Sequence, residues 1–135
     1  MYQRTVALPP SRRGLHDITE SVRAVVEEGS VLTGICHVFL QHTSASLVIQ
    51  ENADPDVLAD LNDWFTGAVI DGDPRFRHTD EGPDDMSAHV RAAITQTSLT
   101  IPIVSGRLGL GTWQGIFLFE HRTHPHHRKV VITLF

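Results

Sequence analysis

Histidine, hydroxyl, carboxylate and amide side chains crowd into one short stretch, His42-Thr43-Ser44-Ala45-Ser46 followed by Glu51-Asn52. Such groups can bind a metal, move a proton or hold an anion. His78, in a polar segment, and His89, just past Ser87, occupy the kinds of position from which imidazoles can converge with His42 on a catalytic metal. Each of the three, taken alone, reads more readily as a capping, hydrogen-bonded or surface histidine than as a ligand, and no HExxH spacing singles out a metal motif. Glu51 and Asp60 are the nearby acids that could orient an imidazole, ligate an ion or act as a general base. Arg107 and Arg128 could grip a phosphate or carboxylate through paired planar contacts, or serve as surface ion-pair partners.

Other patterns are weaker. Ser44 and Ser46 stand beside a histidine but without a G-x-S-x-G elbow. The Gly106 to Gly111 stretch lacks the glycine spacing and strand-to-helix setting of a dinucleotide loop and fits a tight β connection. The cluster His121, His124, His126 and His127, beside Pro125, is expected to be a solvated loop. Cys36, the only cysteine, rules out an internal disulfide and sits among apolar neighbours as an inert strand residue.

The elements that position these groups can be read in outline. The 135 residues suit one domain, 1–135, with a single core. Tyr2 to Leu8 is a strand ended by Pro9-Pro10. A helix follows, capped from Asp17, with Ile18, Val22, Val25 and Val26 on one face and Gly29 as its stop. Val31 to Gln41 and Ser44 to Gln50 read as antiparallel neighbours with His42 and Thr43 at their bend. Asp54-Pro55 opens the clearest helix, whose apolar stripe is Val57, Leu58, Leu61, Trp64, Phe65 and Ala68. A polar connection from Asp71 to Met86 leads to a short helix capped by Ser87, with His89 in its first turn. Strands over Leu99 to Val104, Trp113 to Glu120 and Lys129 to Phe135 complete an α+β domain of antiparallel, sandwich-like sheets with about three helices. In the Trp113 strand, Gln114, Ile116, Leu118 and Glu120 share one face.

The formal charge of -5 argues against a nucleic-acid surface. No apolar run is long enough to cross a bilayer and no signal-like stretch opens the chain, so a soluble cytoplasmic protein without membrane partners is expected.

Several separated motifs, in order, resemble the secondary thiamine-phosphate synthase family, also called YjbQ-like. They are His42-Thr43-Ser44-Ala45, Glu51-Asn52, Asp60, His78, Glu81-Gly82-Pro83-Asp84-Asp85-Met86 with Ala88-His89, Ile101-Pro102, Gly106, Leu110-Gly111-Thr112-Trp113-Gln114, Glu120 and Arg128. The resemblance implies a compact α+β homotrimer with a polar pocket at or near a subunit boundary. It also implies an enzyme able to join a pyrimidine diphosphate to a thiazole phosphate as a secondary activity. One segment departs from the family pattern: Thr123-His124-Pro125-His126-His127 stands where many members carry a Gly-Pro-Arg-like turn.

For such a pocket we assign His42, Glu51, Asp60 and Glu120 to catalysis and His42, His78 and His89 to a metal. Thr43, Ser44, Asn52, Arg107, Gln114 and Arg128 are assigned to substrate. Imidazoles favour zinc, and acids with phosphate oxygens favour magnesium, so zinc is expected before magnesium. The leading expectation is a metal-assisted enzyme on a small phosphorylated substrate. A metal-dependent hydrolase and a non-catalytic trimer that binds a small anion are the competing readings.

Overall fold

A computed structural model describes residues 1–135. Its strands and helices, in chain order, are β1 (Tyr2–Ser11), β2 (Gly14–Asp17), α1 (Thr19–Gly29), β3 (Thr33–Leu40) and β4 (Ala45–Glu51). After these come α2 (Pro55–Ala68), α3 (Asp85–Ala93), β5 (Ser98–Val104), β6 (Arg107–Leu108), β7 (Gln114–Glu120) and β8 (His126–Leu134). All strand pairs are antiparallel, forming a five-stranded sheet β1-β8-β3-β5-β6 and a three-stranded sheet β2-β7-β4. No helix is long and apolar enough to cross a membrane.

Alternation along the strands builds the core. Cys36, Val38 and Leu40 of β3, Leu99, Ile101 and Ile103 of β5, and Val130, Ile132 and Leu134 of β8 meet Ala45, Leu47, Ile116 and Leu118 of the smaller sheet. Helix α1, with Ile18 just before it, adds Ile18, Val22, Val25 and Val26, the face its spacing predicts. Burial pushes the Cys36 thiol up to about 11, in keeping with an inert residue.

Several expectations about the elements are corrected. Strand β1 does not stop at the prolines. It is an edge strand, and a one-residue bulge between Leu8 and Ser11 accommodates Pro9-Pro10. Strands β3 and β4 are not partners: β3 pairs with β5 and β8, and β4 pairs with β7 in the other sheet. His42-Thr43-Ser44 is therefore the crossing between sheets and not a hairpin turn. The third helix begins at Asp85, so Ser87 lies within it, donating to Asp71 and to the Asp84 carbonyl. His126 and His127 belong to β8, where His126 pairs with Ser11, because the bulge in β1 extends the ladder.

Helix α2 follows its predicted start closely, with Asp54 Oδ1 accepting from the Asp56 N–H at 2.9 Å and Pro55 in the first turn. Its apolar stripe is another matter. None of its residues is buried, and Trp64 is 62% exposed, although Phe65 stacks edge-on against Phe119 with ring centroids 5.1 Å apart.

Gly29 ends α1 for a steric reason. The left-handed residue at the cap is Ser30, with φ of 53°, while a Cβ on Gly29 would collide with the side chains of Leu134 and Tyr2. Gly67, in α2, has open space around the same position. Gly29→Ala is expected to cost about 1–3 kcal/mol by overpacking. Gly67→Ala should gain up to about 1 kcal/mol from helix propensity. Urea denaturation of the two variants checks the opposite signs.

Candidate functional site

Where the chain leaves the core, three polar groups are locked together. Glu120 ends the core-facing row of β7 and Arg128 begins that of β8, and both are buried. Arg128 Nε donates to Glu120 Oε1 and its Nη2 to Oε2, each at 2.7 Å. Arg128 Nη2 also donates to the Ser44 carbonyl at 3.2 Å and to Ser44 Oγ at 2.9 Å. Glu120 Oε2 further accepts from the N–H groups of His121 and Arg122. The pair thus ties both sheets to the crossing strand.

On top of this anchor, α3 presents Asp85 and His89 one turn apart, on one face. His78 reaches them from the preceding loop. His78 Nε2 lies 2.6 Å from Asp85 Oδ2, and His89 Nε2 lies 3.1 Å from the same oxygen. One ligand atom from each of the three residues falls within 4.8 Å of the others. Asp85 itself is almost fully enclosed, while both imidazoles reach solvent. Arg122 holds the acid from behind, donating through Nη1 to Asp85 Oδ1 at 2.8 Å, through Nε to Asp84 Oδ2 at 3.0 Å and through Nη2 to the Glu81 carbonyl at 3.0 Å.

Burial opposes charge on both aspartates, but their partners outweigh it. Arg122 and Thr123 hold Asp84 well below the usual carboxylate range. Hydrogen bonding from His78, with the charges of His89 and Arg122, also lowers Asp85.

Backbone groups set the tautomers of two histidines. His89 Nδ1 faces the Thr43 carbonyl at 2.8 Å, and a carbonyl can only accept, so Nδ1 carries the proton. Its other ring nitrogen, Nε2, faces the Asp85 carboxylate. His42 Nε2 accepts the Lys129 N–H at 3.0 Å, so its proton also sits on Nδ1. Partial burial first, then Arg128 and Lys129, lower the His42 pKa and keep the ring neutral. His42, Thr43, His89, Ala92, Ala93 and Thr97 line an open concavity of about 330 Å³ beside the cluster.

The expected residues therefore divide. His78 and His89 come together, His42 stands next to them across the concavity, and Thr43 supplies a carbonyl. Glu120, Arg128 and Ser44 form the buried anchor, in which Arg128 commits Nε and Nη2 to Glu120 and Ser44. Arg107 lies on β6 in a separate hollow with Arg23 and Glu27. Glu51 accepts the Asp54 N–H ahead of α2, Asn52 donates to the carbonyls of Thr112 and Gln114, and Gln114 accepts the Gly111 N–H. Asp60 is exposed on α2. Asp85 and Arg122 were missed as site residues. A helix start at Asp85 would have revealed the first, through its four-residue spacing from His89.

His121 is corrected as well. It is fully buried, packed on Phe119 and hydrogen-bonded through Nε2 to Ser46 Oγ at 2.8 Å, with its Nδ1 unpartnered. Burial, then the cations Arg91, Arg13 and Arg128, push it from 6.5 down to about 3. A base with a depressed folded-state pKa binds its proton in the unfolded chain first. Its contribution to stability is complete above pH 6.5 and is lost progressively toward pH 3. Stability should fall with acidification across that window, with a His121 share of up to about 1.4 kcal/mol per pH unit. His121→Gln should flatten the slope between pH 6.5 and 4 in urea titrations at a series of pH values.

Comparison with known proteins places these observations in a family. The family described as UPF0047 protein YjbQ-like matches residues 4–135. A UPF0047 protein of Synechocystis is 53% identical over 97% of this chain and 89% of its own length. The YjbQ protein of Salmonella typhimurium is 45% identical over 98% of this chain and 96% of its own. Among solved structures, a hypothetical protein of Aeropyrum pernix superposes with a TM-score of 0.90 at 28% identity, covering 100% of this chain and 98% of that one. A Sulfolobus solfataricus protein described as YbjQ-like and of unknown function gives 0.87 at 25%, covering 98% of this chain and 95% of that one. With the match running from the first strand to the last residue, the chain belongs to the YjbQ-like UPF0047 family.

Proposed function

We propose that this chain is a metal-assisted enzyme acting on a small phosphorylated substrate, with a divalent ion held by His78, Asp85 and His89. One observation carries the reading: a ligand atom from each of His78, Asp85 and His89 lies within 4.8 Å of the others, with His89 Nε2 3.1 Å from the carboxylate oxygen. Two ligands bonded to one zinc at about 2 Å stand roughly 3 Å apart, so the spacing suits an ion. Two imidazoles in a set of three favour zinc over magnesium.

An ion held by His78, Asp85 and His89 would supply Lewis acidity beside the concavity. The protein's own groups do the rest. Arg122 occupies Asp85 Oδ1 and so presents Oδ2 alone to the ion, while Thr43 fixes the His89 ring. His42, whose Nε2 is committed to Lys129, acts as an Nδ1–H donor to the substrate and not as a ligand. Joining a pyrimidine diphosphate to a thiazole phosphate fits within this reading as a secondary activity, in which a bound ion would stabilise the leaving pyrophosphate. Transfer to water would make the same site hydrolytic.

Metal analysis and turnover test this together. Purified protein is expected to bind one zinc per chain, and Asp85→Asn and His89→Ala to lose it. His42→Ala should keep the metal and lose about 10²-fold or more in turnover of the precursor pair or of a phosphomonoester. Zinc binding that survives both ligand substitutions would sink the proposal.

We further propose that copies of this chain cover the apolar stripe of α2 in a homotrimer, which the 62% exposure of Trp64 on a helix otherwise rich in Val, Leu and Phe supports. Sedimentation should give three times the chain mass for the native protein. Trp64→Glu should shift it toward the monomer, whereas a native monomer would refute the assembly.

A further inference from the structure

The concavity beside the metal-ligand cluster has a composition that specifies more than a phosphorylated substrate. Its lining is two imidazoles, two threonines and two alanines, with no lysine, arginine or acid. His89 belongs to both the cluster and the lining, and Ala92 and Ala93 follow it by three and four residues on α3, so the hollow runs along the helix away from Asp85. Its volume of about 330 Å³ lies at the low end of small-molecule sites, which run from ~300 to ~1,000 Å³ and so leave room here for a body of single-ring size.

Charge is concentrated at one end only. Two neutral imidazoles and one carboxylate around a divalent ion leave a single net positive charge, and Arg122 is already paired with Asp84 and Asp85. The two arginines expected to take a second phosphate are elsewhere: Arg128 is buried against Glu120, and Arg107 shares another hollow with Glu27. One phosphoryl head is matched by that single charge, and a diphosphate is met less fully, in keeping with the pyrimidine diphosphate reaction as a secondary activity.

We infer that the concavity is a subsite for a phosphomonoester with a small neutral body. The phosphoryl group is directed to the His78, Asp85 and His89 cluster, and the body lies over Ala92 and Ala93. His42 Nδ1–H and the Thr43 and Thr97 hydroxyls bond the polar atoms of that body. The alanines make room for it: any larger side chain on that face of α3 would fill the hollow. The neutral state of His42, maintained by its burial and by Arg128 and Lys129, makes it a hydrogen-bond donor without adding charge.

This inference rests on the metal reading, and calorimetry of the zinc-loaded full chain separates the two. Inorganic phosphate probes the head alone, and phenyl phosphate probes head and body. Phenyl phosphate is expected to bind about tenfold or more tightly than inorganic phosphate, the advantage of burying one face of a ring. Ala92→Leu and Ala93→Leu should each abolish that advantage while leaving zinc content and inorganic phosphate affinity unchanged. Equal affinities in the unsubstituted protein, or an advantage that persists in both variants, would overturn the subsite. Failure of the unsubstituted chain to bind zinc would instead overturn the metal reading.

Discussion

The buried pair of Glu120 and Arg128 is the interaction on which the site depends. It joins the last core-facing position of β7 to the first of β8, and through Ser44 it also fixes the segment that crosses between the sheets. Burying two charges costs several kcal/mol per ion, offset only when their hydrogen bonds are nearly complete. Here they are: the carboxylate accepts from the guanidinium and from two backbone N–H groups, and the guanidinium also reaches both oxygens of Ser44. The bonds to the backbone of His121 and Arg122 have the further consequence of aiming the Arg122 side chain. From there it reaches Asp84, Asp85 and the Glu81 carbonyl, pinning the loop that carries His78 and the first turn of α3. A buried pair in the core thereby sets the position of an exposed ligand cluster.

Local signals were readable in the sequence and non-local ones were not. The start of α2 depends on Asp54, Pro55 and Asp56 alone, and the apolar face of α1 on spacing alone, and both came out as read. The pairing of β4 depends on which distant strand lies beside it, and sequence proximity to β3 pointed to the wrong sheet. Asp85 was hidden for a subtler reason. Placing the helix start at Ser87 left Asp85 in a loop, where its spacing from His89 means nothing.

His121 failed as an expectation because its neighbours His124, His126 and His127 suggested a common solvated fate. Strand phase held the better clue, since His121 continues the row of Phe117 and Phe119 on the face turned away from the inter-sheet core. The resemblance to YjbQ-like proteins located the motifs but could not sort them. Buried anchor and exposed ligand carry the same chemistry in one dimension, and only the third shows that Arg128 is consumed by Glu120 while Asp85 faces two imidazoles.

The same tautomer serves two purposes across the concavity. His42 and His89 both carry their proton on Nδ1, each dictated by a main-chain group: an N–H at Lys129 in one case, a carbonyl at Thr43 in the other. Because the backbone meets opposite ends of the two rings, His42 is left with an Nδ1–H donor and His89 with its Nε2 turned toward Asp85. His78 differs, since its Nε2 faces Asp85 Oδ2 at 2.6 Å and no main-chain group sets its tautomer. Main-chain groups of Thr43 and Lys129 thus distinguish imidazoles that are chemically identical: both Nδ1 protons are fixed in His42 and His89, and neither nitrogen of His78 is fixed by the backbone.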